Sequence, residues 1–221
     1  MPGRKYPLVT EAYYHVYNKT IDGKRPLENP RVLSKMKEIC WYYRSISTPL
    51  CYADFIRASD ERKKKITDLL INADSFHVEI LAYCFMPTHY HFLIRQLVDG
   101  GVSMFISQIQ NSFTRYFNIL KSRKGPLFLH KFKSRPIESE ADIKHLARYI
   151  HLNPYSNEYL STVDEALTYE GSSYIELMNP NVYPRITHDD SILIYFDNDL
   201  SRYRNFVVQN AEYQKQLERH D

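Results

Sequence analysis

The sequence predicts an α+β chain built on one antiparallel sheet, and three observations carry that expectation. Extended apolar runs and amphipathic stretches follow one another in the order β, α, β, β, α, β, α. Two β-rich runs, residues 76–85 (FHVEILAYCF) and 89–96 (HYHFLIRQ), are separated only by Met-Pro-Thr, the pattern of a hairpin. Three other stretches repeat apolar residues every three or four positions, as amphipathic helices do.

Residues 12–19 (AYYHVYNK) are β-branched and aromatic with partial alternation, which predicts a strand ended by Asp22-Gly23. Pro30 suits a first helical turn, and Val32, Leu33, Met36, Ile39, Cys40 and Tyr43 then recur at helical spacing up to Arg44. Residues 49–74 set the charged run 60–65 between short apolar patches, so an inserted loop or short helices are expected there. After the hairpin, Gly100-Gly101 breaks the chain. Phe105, Ile109, Phe113, Tyr116, Phe117 and Leu120 mark a helix over 102–121 that leads into a Gly125-Pro126 turn. Residues 127–137 read as a basic extended segment. Ser139 then opens a helix with Glu138, Glu140 and Asp142 at its positive end and Ile143, Leu146, Ala147 and Ile150 along one stripe. Pro154 biases Asn153 away from helical geometry, so the helix is expected to stop at Asn153. This order is that of the split β-α-β, ferredoxin-like (RRM-like) sandwich, with helices on one face of the sheet and the other free for a ligand. The expected organisation is a main domain at 1–157, with 49–74 inserted, and a small helical extension at 158–221.

Composition sets outer bounds. The 221 residues are 43% hydrophobic and 25% charged with only 6 Gly and 11 Pro, which excludes collagen-like, low-complexity and disordered classes. Cys40, Cys51 and Cys84 form no CxxC pair, the N-terminal segment has no apolar signal core, and no run is long enough to cross a bilayer. A reducing, cytoplasmic setting without a membrane partner is therefore expected. Net charge is only +3, but no acidic residue lies between Asp99 and Glu138. Arg115, Lys121, Arg123, Lys124, Lys131, Lys133 and Arg135 fill that window, and the rest of the chain is left with a net charge of −4. A local positive field of this kind attracts phosphates, although a solvated helix and loop give the same pattern.

Alternation along residues 89–96 places His89, His91, Leu93 and Arg95 on one face and Tyr90, Phe92, Ile94 and Gln96 on the other. Two imidazoles side by side form a two-ligand platform for a divalent metal; two solvent-facing or cross-bonded histidines look the same. Tyr149 and Asn153, four apart, sit within about 40° of each other on their helix. A phenol with a pKa near ~10 is a poor nucleophile at neutral pH unless a cation or base favours the phenolate. His15 and Tyr17 share a strand face that could line a site or simply pack. Tyr116 is expected to be a stripe residue, and His145 and His151 to be surface histidines.

Two motifs carry a family resemblance. AYCFMPTHYHFLIRQ (82–96) resembles the MPNHYHLL signature of HUH single-strand DNA endonucleases, and ARYIHLNP (147–154) resembles the RYIHxNP signature of the REP-associated single-tyrosine transposases. YHVYNK (14–19) and SSY (172–174) fit the same family, although the preceding TYEG lacks the family's tryptophan. The resemblance implies His89 and His91 as metal ligands with Asn153 as a third, and Tyr149 as the nucleophile. It implies cleavage and rejoining of single-stranded DNA, at a hairpin, through a 5′-phosphotyrosine, with Mg²⁺ or Mn²⁺ and no nucleotide cofactor. The basic residues of 115–135 would then position phosphates in a nucleoid-associated monomer or homodimer. A ferredoxin-like nucleic-acid-binding module without chemistry is the alternative. A His-x-His hydrolase of small molecules is disfavoured, since no Cys/His cluster completes a zinc deaminase pattern.

Overall fold

The computed structural model describes residues 7–179, 181, 182, 184–188 and 192–218. Strand β1 (Tyr13–Lys19) is followed by helices α1 (Pro30–Arg44), α2 (Tyr52–Arg57) and α3 (Asp60–Ile71). A hairpin of β2 (Val78–Met86) and β3 (His89–Gln96) turns on Pro87-Thr88. Helix α4 (Gly101–Leu120), strand β4 (Lys133–Ile137) and helix α5 (Glu140–Ser156) complete the sandwich. Four shorter helices follow: α6 (Val163–Leu167), α7 (Tyr174–Met178), α8 (Leu200–Gln209) and α9 (Ala211–Glu218). All strand pairs are antiparallel in the order β2-β3-β1-β4, the ferredoxin-like arrangement. Among the described residues no helix is long and apolar enough to cross a membrane.

The helix starts follow local chemistry. Asn29 Oδ1 accepts from the backbone N–H of Arg31 (3.0 Å) and Val32 (3.3 Å), and Pro30 needs no partner for the amide hydrogen it lacks. Ser139 Oγ accepts from Asp142 N–H at 3.1 Å. At the start of α4 a Cβ on Gly101 would lie 2.2 Å from the carbonyl oxygen of His77, so only glycine lets the chain leave the sheet this closely.

Two cores lie on the two faces of the sheet. Tyr14 and Val16 of β1 and Tyr90, Phe92 and Ile94 of β3 pack with α1 and α4. The insertion joins this core through Tyr52, Phe55, Ile66 and Leu70, so its two helices lie on this side of the sheet. A bulge between Ile80 and Ala82 resets the alternation of β2. Ile80, Tyr83 and Phe85 serve the first core, while Leu81, Ala82 and Cys84 serve the second. Most of the abundant aromatic side chains are explained here, since burying one contributes about 1.5–3 kcal/mol.

The second face is not left open as expected. Ile143, Leu146, Ala147 and Ile150 of α5 pack on it beside Leu93, and Tyr174, Tyr203 and Val207 from the C-terminal helices extend the same core. The reason is apolar area: Leu81, Ala82, Cys84 and Leu93 need cover. What remains open is a cleft at the edge of this cover, reached by His15 and Tyr149, while His91 itself is buried. Helix α5 also runs past Pro154 to Ser156. Tyr155 and Ser156 are buried, and Ser156 Oγ donates to the Leu152 carbonyl at 3.0 Å; this packing outweighs the bond that proline cannot make.

Candidate active site

Strand pairing alone brings the predicted residues close. Across β1 and β3, Tyr17 faces His91 and Lys19 faces His89; across β1 and β4, His15 faces Arg135 and Tyr17 faces Lys133. The side chains then form one aromatic cluster. His15 stacks on Tyr17 with ring centroids 4.8 Å apart, Tyr17 stacks on His91 at 5.6 Å, and His89 meets His91 edge-on at 5.0 Å. Helix α5 lays Tyr149 against them, edge-on to His91 at 5.6 Å and to His15 at 5.9 Å. An open cleft of about 550 Å³ reaches this point, lined by His15, Arg135, Glu138, Asp142, His145 and Tyr149.

Hydrogen bonds orient the rings. His15 Nε2 and His91 Nδ1 are 2.9 Å apart, and Thr88 Oγ1 is 2.9 Å from His89 Nδ1. Burial holds His15 down to about 4, with the Arg135 charge adding to the effect. Burial also brings His89 to about 4; contact with Asn153 opposes this, and the Lys19 charge favours it. His91 is held well below its ordinary value by burial first, then by His15, His89 and Lys19. All three imidazoles are thus neutral at pH 7, and each keeps a nitrogen lone pair.

Asn153 is fully buried beside His89, close enough to favour the charged ring, yet neither Oδ1 nor Nδ2 reaches hydrogen-bonding geometry with any group. An orphaned buried amide is costly, about 1–3 kcal/mol, and is the form a ligand position takes without its ion. Two neutral imidazoles and an amide oxygen are donors a divalent ion accepts. No cluster of three or more His, Cys, Asp or Glu poised for a metal exists among the described residues. An ion held here would therefore depend on the Asn153 amide and on substrate oxygens.

The basic window divides. Lys133 and Arg135 lie in register with Tyr17 and His15, and Lys133 Nζ is 5.8 Å from the centre of the Tyr17 ring. Lys121 and Lys124 are exposed on the turn after α4, and Lys131 is exposed just before β4. Arg123 holds that turn, donating to Asn118 Oδ1 and, at 2.7 Å, to the Pro126 carbonyl. Arg115 is not brought to the histidine face; it is exposed on α4, beside Tyr116 and Ile119. Tyr116 is half-buried next to Phe113, as expected of a stripe residue.

Three histidines differ from or sharpen the sequence reading. His15, left open between site and packing, bonds His91. His145 is exposed but lines the cleft with Tyr149, four residues on. His151, expected at the surface, is fully buried between Ser173 Oγ (2.8 Å) and the Tyr203 hydroxyl (2.6 Å). The shared occurrence of RYIH and SSY was the available signal, since these contacts join the two motifs.

Residues 51–153, nearly half the chain, match the family described as "Transposase IS200 like", and the span includes both the His-x-His strand and the Tyr149–Asn153 turn of α5. No curated protein gives a significant match. Among solved structures the chain is similar to a REP-associated tyrosine transposase bound to a REP hairpin, with a TM-score of 0.54 and 14% identity over 86% of this chain and 94% of that one. That likeness is one of fold. The matched span runs from the insertion through the paired histidines to the tyrosine helix, and over it the chain is similar to the IS200-like transposases.

Proposed function

We propose that this chain cleaves and rejoins single-stranded DNA at hairpins through a covalent link to Tyr149. The observation that carries the reading is the meeting of the Tyr149 ring with His91 and His15 at the open cleft, beside an Asn153 amide that has no partner. The hairpin-bound structural neighbour supports hairpin DNA as the substrate class.

His89, His91 and Asn153 would hold a divalent cation, Mg²⁺ or Mn²⁺. When bound, the cation supplies charge neutralisation for the scissile phosphate and favours the phenolate of a nearby tyrosine. Tyr149 Oη bonds to phosphorus as the bond to the 3′ oxygen breaks, leaving a 5′-phosphotyrosine and a free 3′ hydroxyl. The phenolic proton leaves to solvent through the cleft, and the departing oxygen takes up a proton. Rejoining reverses these steps, and the phosphodiester energy is retained in the covalent link. Lys133 and Arg135 position the strand across the histidine face, and Lys121, Lys124 and Lys131 extend that path. Arg123 and Arg115 are assigned to phosphate contacts outside the cleft. The packing of Tyr149 against histidines of its own chain supports cleavage by a monomer. Such chemistry fits a cytoplasmic, nucleoid-associated protein.

The test is incubation with labelled hairpin oligonucleotides and Mn²⁺, followed by denaturing electrophoresis. An SDS-resistant adduct mapping to Tyr149, absent in Tyr149→Phe although that variant still binds DNA, is the expected result. Binding without any adduct would mark the chain as a nucleic-acid-binding module instead.

A further inference from the structure

We propose that His15 is a positioning residue that selects which ring nitrogen of His91 is offered to a cation. This rests on the reading of His89, His91 and Asn153 as ligands, and it adds a residue that neither family motif contains as a ligand or nucleophile.

His15 Nε2 and His91 Nδ1 share a single hydrogen bond of 2.9 Å. A neutral imidazole carries one N–H and one lone pair. If His15 donated, the His91 Nδ1 lone pair would be occupied and the His91 proton would sit on Nε2, leaving no lone pair for a ligand bond. If His15 accepts, His91 carries its proton on Nδ1 and presents Nε2 with a free lone pair. Only the second arrangement lets His91 ligate.

The neighbouring ring follows the same design. Thr88 Oγ1 lies 2.9 Å from His89 Nδ1; a hydroxyl both donates and accepts, and in the accepting role it would hold His89 as the Nδ1–H tautomer with Nε2 free. Metal-bound histidines ordinarily give their second N–H to a carboxylate or a carbonyl. Here a third imidazole from the adjacent strand takes that place. Its own orientation is held, because His15 stacks on Tyr17 at 4.8 Å and is met edge-on by Tyr149 at 5.9 Å. A ring fixed on both sides cannot swing away from His91 without disturbing the cluster.

The experiment uses the full chain and has two readouts that do not depend on cleavage. The first is long-range ¹H–¹⁵N correlation of the histidine rings without metal, where His91 is expected as the Nδ1–H tautomer. The Nε2–H tautomer overturns the proposal. The second is Mn²⁺ affinity from electron paramagnetic resonance. His15→Leu, with no acceptor, should weaken binding by roughly 10–100-fold, the usual effect of losing such a partner. His15→Gln, whose carbonyl can accept from Nδ1–H, should stay within about 3-fold of the unaltered protein. Equal affinities for His15→Leu and the unaltered protein, or equal losses in the Leu and Gln variants, overturn the role of His15. His89→Ala separates this from failure of the underlying reading. If His89→Ala binds Mn²⁺ as well as the unaltered protein does, the ion is not at this site and both readings fall.

Discussion

His151 Nε2 lies 2.8 Å from Ser173 Oγ, and this contact ties the helix that carries Tyr149 to the segment after α6. Ser173 Oγ accepts from the Tyr83 N–H at 2.8 Å and donates to the Tyr83 carbonyl at 3.2 Å, so the imidazole donates to Ser173 and accepts from the Tyr203 hydroxyl. Strand β2, helix α5 and helix α8 thus meet at one buried ring two residues beyond Tyr149. Substituting His151→Leu leaves two buried hydroxyls short of a partner and should cost roughly 2–4 kcal/mol in urea unfolding at pH 7. A loss under about 1 kcal/mol would show that the network contributes little.

Asn153 should behave in the opposite way. Its buried amide has no hydrogen-bond partner, so Asn153→Ala in metal-free protein is expected to change stability by no more than about 1 kcal/mol, in either direction. The same change should weaken Mn²⁺ binding by roughly 10-fold or more. Calorimetric titration and urea unfolding of the one variant give both numbers, and a stability loss without an affinity loss would remove Asn153 from the ligand set.

Charge on the histidine face should be visible in salt dependence. Replacing Lys133 and Arg135 together by Gln is expected to lower the slope of log affinity against log salt for single-stranded DNA by about 1.4, at about 0.7 per phosphate contact. Arg115→Gln, on the other side of the sheet, should leave binding of a short strand in the cleft nearly unchanged. Equal effects from both sites would mean that DNA wraps across α4.

Stability should also depend on pH through His188. Its Nδ1 accepts from the Ile80 N–H at 3.1 Å, and burial, reinforced by the charges of Arg44 and Arg95, brings it from 6.5 to about 4. In the folded chain the ring stays neutral between these values, whereas the unfolded chain takes up a proton. The stabilisation is fully present above about pH 6.5 and is lost as pH falls towards about 4, at about 1.4 kcal/mol per pH unit. His188→Gln should flatten the pH dependence of unfolding in that window by this amount, and an unchanged slope would contradict it.

Much of this was legible in the linear order of residues. The strand over 89–96, the first helix with Pro30 in its first turn and the hairpin break at Met-Pro-Thr depend on periodicity and on neighbours a few positions away. Those are local forces, and the side of the sheet that carries His89 and His91 follows from alternation alone. Placement of α5 on that face, the passage of α5 through Pro154 and the depth of His151 were settled by partners far along the chain. Tyr155, Ser173 and Tyr203 act through packing and hydrogen bonds between elements distant in sequence. His15 shows the same division: its strand face is readable, but its bond to His91 exists because β1 pairs with β3 across more than seventy residues. Short-range propensity names the elements; burial of apolar area and satisfaction of buried polar groups choose where they dock.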